Sequence, residues 1–220
     1  ARPALRVVVI DPRRTATCDL ADLHLAIAPG SDAALFNALL VAIADRGAVD
    51  AGFLTHVNGW DEALAAARAS DVAVTGLAAA DLEEFLRLWT GTEKVVTVYS
   101  QGINQSTSGS DKVNAILNCH LATGRIGRSG MGPFSVTGQP NAMGGREVGG
   151  LANMLACHLD LENETHRGAV QGFWGSPAMA DKAGLKAVDM FRAVADGRIK
   201  AIWIIHTNPA VSMTEADAVA

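Results

Sequence analysis

Short β-branched apolar runs, separated by stretches of helical periodicity, constrain this chain's fold more than any other feature. Three runs are clear: Leu5–Asp11 (LRVVVID), Lys94–Ser100 (KVVTVYS) and Ile199–Ile205 (IKAIWII). A fourth, His24–Ile27, is closed by Pro29-Gly30. They are continuous in apolar character rather than alternating, which marks strands covered on both faces. The intervals read as helices. Ala33–Asp45 repeats Leu35, Leu39, Leu40 and Ile43 at helical spacing and stops at Gly47. Further helices are expected after Asp50 (Phe53, Leu54, Val57), from Asp61, over Leu77–Trp89 with Gly91 as its stop, over Ser110–Thr123, near Val148–His158 and over Leu185–Ala195. Gly168–Gly184 reads as irregular. Strands alternating with helices predict an α/β fold built on parallel sheet.

Composition agrees with a packed domain and narrows the partners. Of 220 residues, 49% are hydrophobic and 19% charged, enough to bury a core. The net charge of −5, without a basic stripe, argues against nucleic acid as a ligand. No apolar run approaches the roughly 20 residues of a membrane span. Cys18, Cys119 and Cys157 are far apart, with no C-x-x-C pair, so neither a disulfide framework nor a local metal site is expected. Ala1-Arg2-Pro3 runs straight into a strand and the far end carries no stop signal, which predicts an internal piece of a longer protein.

The polar residues gather where strands end. Leu5–Ile10 leads into Asp11-Pro12-Arg13-Arg14-Thr15, and His24–Ile27 into Pro29-Gly30-Ser31-Asp32. Lys94–Ser100 leads into Gln101-Gly102-Ile103-Asn104-Gln105, and Ile199–Ile205 into His206-Thr207-Asn208-Pro209. In open parallel sheets, ligands bind outside the carboxyl ends of the strands. Amides, hydroxyls, an acid and guanidinium groups suit a nucleotide-like ligand. Each loop also reads as an ordinary turn, and Asp32 as a helix cap. Neither G-x-G-x-x-G nor a P-loop is present, so the residues do not say which nucleotide.

Gly132–Gly150, GPFSVTGQPNAMGGREVGG, adds a long Gly-rich segment with only Arg146 and Glu147 charged. Loops of that length without secondary structure are usually functional or disordered, and its apolar residues argue against disorder. Arg146 and Glu147 are expected to form an ion pair in which Glu147 orients the arginine. A planar guanidinium suits a planar anion with several acceptor oxygens.

Four blocks together resemble the molybdopterin oxidoreductase family, and within it nitrate reductase catalytic subunits of the assimilatory and periplasmic type. They are Val7–Leu40, Tyr99–Gly127, Gly132–Gly150 and Ile202–Met213. The resemblance implies Rossmann-like α/β domains, a bis(molybdopterin guanine dinucleotide) molybdenum cofactor and a 4Fe-4S cluster held by a part not present here. It implies nitrate as substrate and an electron donor protein or reductase as partner, in the cytoplasm or the periplasm. By the same resemblance, Asp11, Arg13 and Thr15 meet a guanosine or pyrophosphate portion. Gly30, Ser31 and Asp32 form an acidic turn in which Asp32 reads a guanine edge. Gln101 and Gln105 lie by the dithiolene end, Thr137 and Gln139 by the pterin, and Asn208 at a further dinucleotide contact. Arg146 corresponds to an arginine in the substrate funnel. No residue here matches a metal ligand. A domain change is expected at Gly138-Gln139, giving 1–138 as part of the family's third domain and 139–220 as part of a second α/β domain. The alternatives are a formate dehydrogenase-like enzyme and a nucleotide-binding module without redox chemistry. The piece alone is not expected to reduce nitrate.

Overall fold

The structure is a computed structural model that describes residues 4–138, 141–214 and 216–219. It divides into two compact units, 1–138 and 139–220.

The first unit opens with β1 (Val8–Ile10) and β2 (Leu23–Leu25), a parallel pair in which Val8 faces Leu23 and Ile10 faces Leu25. A short 3-10 turn, Ala16–Leu20, connects them. Helix α1 (Asp32–Asp45) follows and is the hub of the core. Leu35, Leu39 and Ile43 on it are fully buried, each worth about 2 kcal/mol of apolar burial. The short α2 (Ala51–Leu54) starts at Asp50, whose carboxylate accepts the Phe53 N–H at 2.9 Å. Next come α3 (Trp60–Arg68) and α4 (Ala79–Gly91), which turns Phe85, Leu86 and Trp89 inward. Phe85 meets Phe36 of α1 edge to face, with ring centroids 6.4 Å apart.

The second half of this unit holds β3 (Val96–Tyr99), α5 (Gln101–Asn104), α6 (Gly109–Ala122) and β4 (Gly132–Ser135). β4 lies parallel to β3, with Val96 facing Gly132 and Tyr99 facing Ser135. α6 packs on α1 through Ala115, Ile116 and Cys119. The Cys119 thiol is fully buried against the Phe36 carbonyl, and burial raises its pKa. Arg125, just after α6, donates to the carbonyls of Trp89, Thr92 and Glu93 and stacks 4.2 Å above the Trp89 ring. It thereby caps the carboxyl end of α4, where a cation offsets the helix dipole.

The second unit carries α7 (Ala142–Glu147), α8 (Glu164–Trp174), α9 (Ala187–Ala195), α10 (Pro209–Ser212) and α11 (Ala216–Val219). Its apolar cluster is small: Leu155, Leu161 and Val170, with Leu159 and Met179 against them.

The α/β class read from the sequence is what the structure has, with short parallel sheets flanked by helices. Four local expectations are corrected. Val148–His158 is not a helix. Gly149 turns at φ +76° and the chain folds back, with the Leu155 N–H donating to the Leu159 carbonyl. A Cβ at Gly149 would sit 2.6 Å from the Ala156 nitrogen, so only glycine allows this approach. Gly168–Gly184 is not irregular throughout, because α8 occupies 164–174. The Asn163 side chain caps it, accepting the N–H groups of Thr165 and His166, and Gly175 ends it at φ +60°. Gly132–Gly150 is not structureless, since it contains β4 and α7. Ile199–Ile205 forms no strand. No described strand pairs with it, and Trp203 is 87% exposed.

Candidate functional site

The polar loops of the first unit all leave the carboxyl ends of strands, and local hydrogen bonds shape each one. After β1, the Asp11 carboxylate accepts the Arg13 N–H at 2.8 Å, an Asx turn that reverses the chain. The His24 ring Nε2 donates to the Asp11 carbonyl at 2.9 Å and ties this loop to β2. The Arg13 guanidinium is exposed, 3.7 Å from Asp11. Thr15 precedes the 3-10 turn and makes no side-chain cap bond.

After β2, Gly30 takes φ +89°, and a Cβ there would meet nothing within 4 Å. The glycine serves the turn and leaves open space at the start of α1. Ser31 is the N-cap residue, but its hydroxyl donates back to the Ala28 carbonyl at 2.6 Å. Asp32 is the first helical residue rather than the cap. Its carboxylate meets Lys112 Nζ at 3.0 Å, and both side chains are largely buried. This ion pair ties the loop after β2 to the start of α6. The sequence reading missed Lys112. Its only signal was a lysine one residue before the apolar face of α6.

After β3, Gln101 begins α5 and Gln105 follows its end, both exposed. Among the described residues neither side-chain amide has a hydrogen-bond partner. The loop closes on Gly109, where a Cβ would overlap the Asn104 carbonyl oxygen. Thr137 lies just past β4 and is exposed. Gln139 lies outside the described residues.

In the second unit, Arg146 is exposed in the last turn of α7. The expected ion pair with Glu147 does not form. Adjacent residues on a helix point about 100° apart and do not face each other. Among the described residues the Arg146 guanidinium has no ion-pair partner. Asn208 precedes α10, and its carbonyl accepts the N–H groups of Val211 and Ser212. Its side-chain amide makes no cap bond.

This arrangement can bind a polar, phosphate-bearing ligand. Among the described residues the Gln101 and Gln105 amides have no hydrogen-bond partner, the Arg13 guanidinium has only its 3.7 Å ion pair with Asp11, and Gly30 leaves open space beside the amino end of α1. The donor set therefore fits a pterin-nucleotide group. No set of three or more His, Cys, Asp or Glu side chains among the described residues could hold a metal ion. No described helix is long and apolar enough to cross a membrane.

Comparison with known proteins bears on the family. The chain is 52% identical to a nitrate reductase of Klebsiella oxytoca over 99% of its length, which is 25% of that protein. It is 48% identical to a nitrate reductase of Shewanella frigidimarina over 98% of its length, or 24% of that protein. It spans about a quarter of the length of these curated relatives. Among solved structures, acetylene hydratase from Pelobacter acetylenicus superposes with a TM-score of 0.52 at 22% identity, covering 57% of this chain and 18% of that one. That likeness concerns the fold. The sequence model of the molybdopterin oxidoreductase family matches residues 1–220, from before β1 to past α10. With unclaimed donors at the carboxyl ends of parallel strands and a family match over its full length, the chain belongs to the molybdopterin oxidoreductase family.

Proposed function

We propose that this chain is part of a molybdenum-dependent nitrate reductase, and that its own residues hold the nucleotide arms of a bis(molybdopterin guanine dinucleotide) cofactor and position nitrate. The observation that carries this reading is the similarity to nitrate reductases along nearly the whole chain. When bound, the molybdenum centre supplies the oxygen-atom transfer that takes nitrate to nitrite. A 4Fe-4S cluster elsewhere in the protein would feed it electrons from a donor protein or reductase.

The roles of this chain's residues follow from their chemistry. Arg13 donates to phosphate oxygens, with Asp11 and Thr15 shaping the loop that presents it. Asp32 accepts from a guanine edge. Lys112, 3.0 Å away, keeps its carboxylate fixed without occupying both oxygens. Gly30 and Ser31 keep the backbone low beneath that base. Gln101 and Gln105 donate to the cofactor near its dithiolene end, and Thr137 and Gln139 contact the pterin. Asn208 serves a second nucleotide arm. Residues 1–138 are read as part of one α/β domain of the family and 139–220 as part of another.

Arg146 carries the substrate role. Two parallel N–H donors match two oxygens of nitrate, and the helix position leaves the guanidinium without a competing carboxylate. In the full-length gene product, Arg146→Ala is expected to raise the nitrate KM about 10- to 100-fold, the loss of a charge-assisted hydrogen bond. Molybdenum content should stay normal. An unchanged KM would refute the substrate role, and turnover of formate instead of nitrate would overturn the nitrate reading.

A further inference from the structure

Lys112 is a buried lysine with hydrogen-bonding capacity left over. It lies in the first turn of α6, and its side chain is 7% exposed. Among the described residues its ammonium has one partner, Asp32 Oδ2 at 3.0 Å. An ammonium carries three N–H donors, so two remain. Asp32 is in the same position from the other side. Its Oδ2 meets Lys112, and among the described residues its Oδ1 accepts nothing. Attraction within a buried ion pair outweighs the loss of water only when further hydrogen bonds satisfy the remaining groups. Buried polar groups of native proteins are nearly always paired, so those left over here point to a ligand. Open space lies two residues away along the chain, since a Cβ at Gly30 would meet nothing within 4 Å. The Ser31 hydroxyl is turned back to the Ala28 carbonyl and does not reach into that space.

The pair selects its ligand by chemistry. A phosphate does not fit, because the Asp32 carboxylate stands 3.0 Å from the ammonium and repels a second anion. A neutral planar edge with donors beside an acceptor does fit. Guanine has that edge: N1–H and N2–H2 donate next to the O6 acceptor. Its two donors match the two Asp32 oxygens, and O6 then falls on the side of Oδ2, where the ammonium is. Adenine sets an acceptor, N1, against the carboxylate and an amino group, N6–H2, against the lysine. Cytosine has one donor group where guanine has two.

We propose that Lys112 is a specificity-determining residue of the nucleotide site, donating to O6 of the guanine whose N1–H and N2–H2 Asp32 accepts. The proposal rests on the guanine dinucleotide reading above and adds a second base-reading residue from a different helix. A fixed donor beside a fixed acceptor discriminates strongly, because the wrong base leaves buried polar groups unpaired. Asp32 alone accepts from any amino group, so adenine is rejected through Lys112.

The test uses the full-length gene product purified without cofactor, with GDP and ADP as probes and calorimetry as the readout. The unaltered protein should bind GDP about 100-fold more tightly than ADP. Lys112→Met should weaken GDP about 10- to 100-fold, the loss of a charge-assisted hydrogen bond, and should not weaken ADP. An equal loss for both nucleotides would overturn the proposal, since a lysine that only supports the fold weakens every ligand alike. Lys112→Met also strands the Asp32 carboxylate and can prevent folding, so the contact is probed from the ligand side as well. In 6-thio-GDP only O6 is replaced, by a sulfur that accepts poorly. It should bind the unaltered protein about tenfold more weakly than GDP, and equal affinity would overturn the proposal. Acid hydrolysis of the cofactor from the loaded protein, with the released nucleotide identified by chromatography, checks the underlying reading separately. Where GMP is released, an equal loss for GDP and ADP counts against Lys112 alone. Release of CMP, or of no nucleotide, would refute the guanine dinucleotide reading and the proposal with it.

Discussion

His120 shows how one buried side chain makes stability depend on pH. It is fully buried, accepts or donates one bond at Nε2 to Thr97 Oγ1 at 2.8 Å, and has no partner at Nδ1. The Trp89 ring stands edge-on at 5.4 Å. Burial, and then the positive charge of Arg125, push its pKa from 6.5 down to about 4. The unfolded chain takes up a proton near the ordinary value, while the folded one resists until about pH 4. His120 therefore leaves stability unaffected above about pH 6.5 and lowers it as the pH falls through that window to 4, by about 3 kcal/mol in all. Urea midpoints recorded between pH 7 and 4 should fall more steeply for the natural protein than for His120→Gln. Parallel slopes would show that another group governs the acid response. The histidine was legible in the sequence only as one of six scattered imidazoles. Its environment is assembled from α4, α6 and β3.

At the scale of elements, caps and glycines decide where helices begin and how loops fold. The Asp50 and Asn163 caps act within three residues, so the starts of their helices are set locally. Asp50 was readable, but α8 was hidden by Gly168 and Gly172, which cost about 1 kcal/mol each in an exposed helix. The cap and the buried face at Val170 outweigh them. Gly109 is the critical glycine of the proposed cofactor loops, because the Asn104 carbonyl occupies the space a Cβ would take. Gly109→Ala should destabilise the chain by about 1–3 kcal/mol, the range for overpacking. It should also speed hydrogen exchange across 101–108. Unchanged exchange there would mean that Gly109 does not hold the Gln101–Gln105 loop in place.

For the whole molecule, the two units are unequally stabilised. Residues 1–138 share one core running from Leu25 and α1 through Trp89 to Ala122. Residues 139–220 bury three apolar residues in their cluster and expose Phe173, Trp203 and Ile205. Local stability follows buried apolar contact. In the 220-residue chain, limited chymotrypsin digestion should cut first at Phe173 and Trp203 and leave 4–138 as the persistent fragment. First cuts within 4–138 would contradict that ranking.

The sequence by itself determined the features that rest on local interactions. The β-branched runs at Val8–Ile10 and Val96–Tyr99, the helical spacing through α1 and α4, and the Asp50 cap each depend on residues within a turn or two. The family was legible for the same reason, through contiguous motifs such as Val7–Leu40. Tertiary structure decided what depends on distant partners. Ile199–Ile205 has strand composition but, among the described residues, no strand to bond with, and parallel pairing always requires a partner far along the chain. Asp32 pairs with Lys112, 80 residues away, which no local pattern encodes. Hydrogen bonds and ion pairs across long separations form only once a core brings their elements together, and in this protein α1 and α6 build that core.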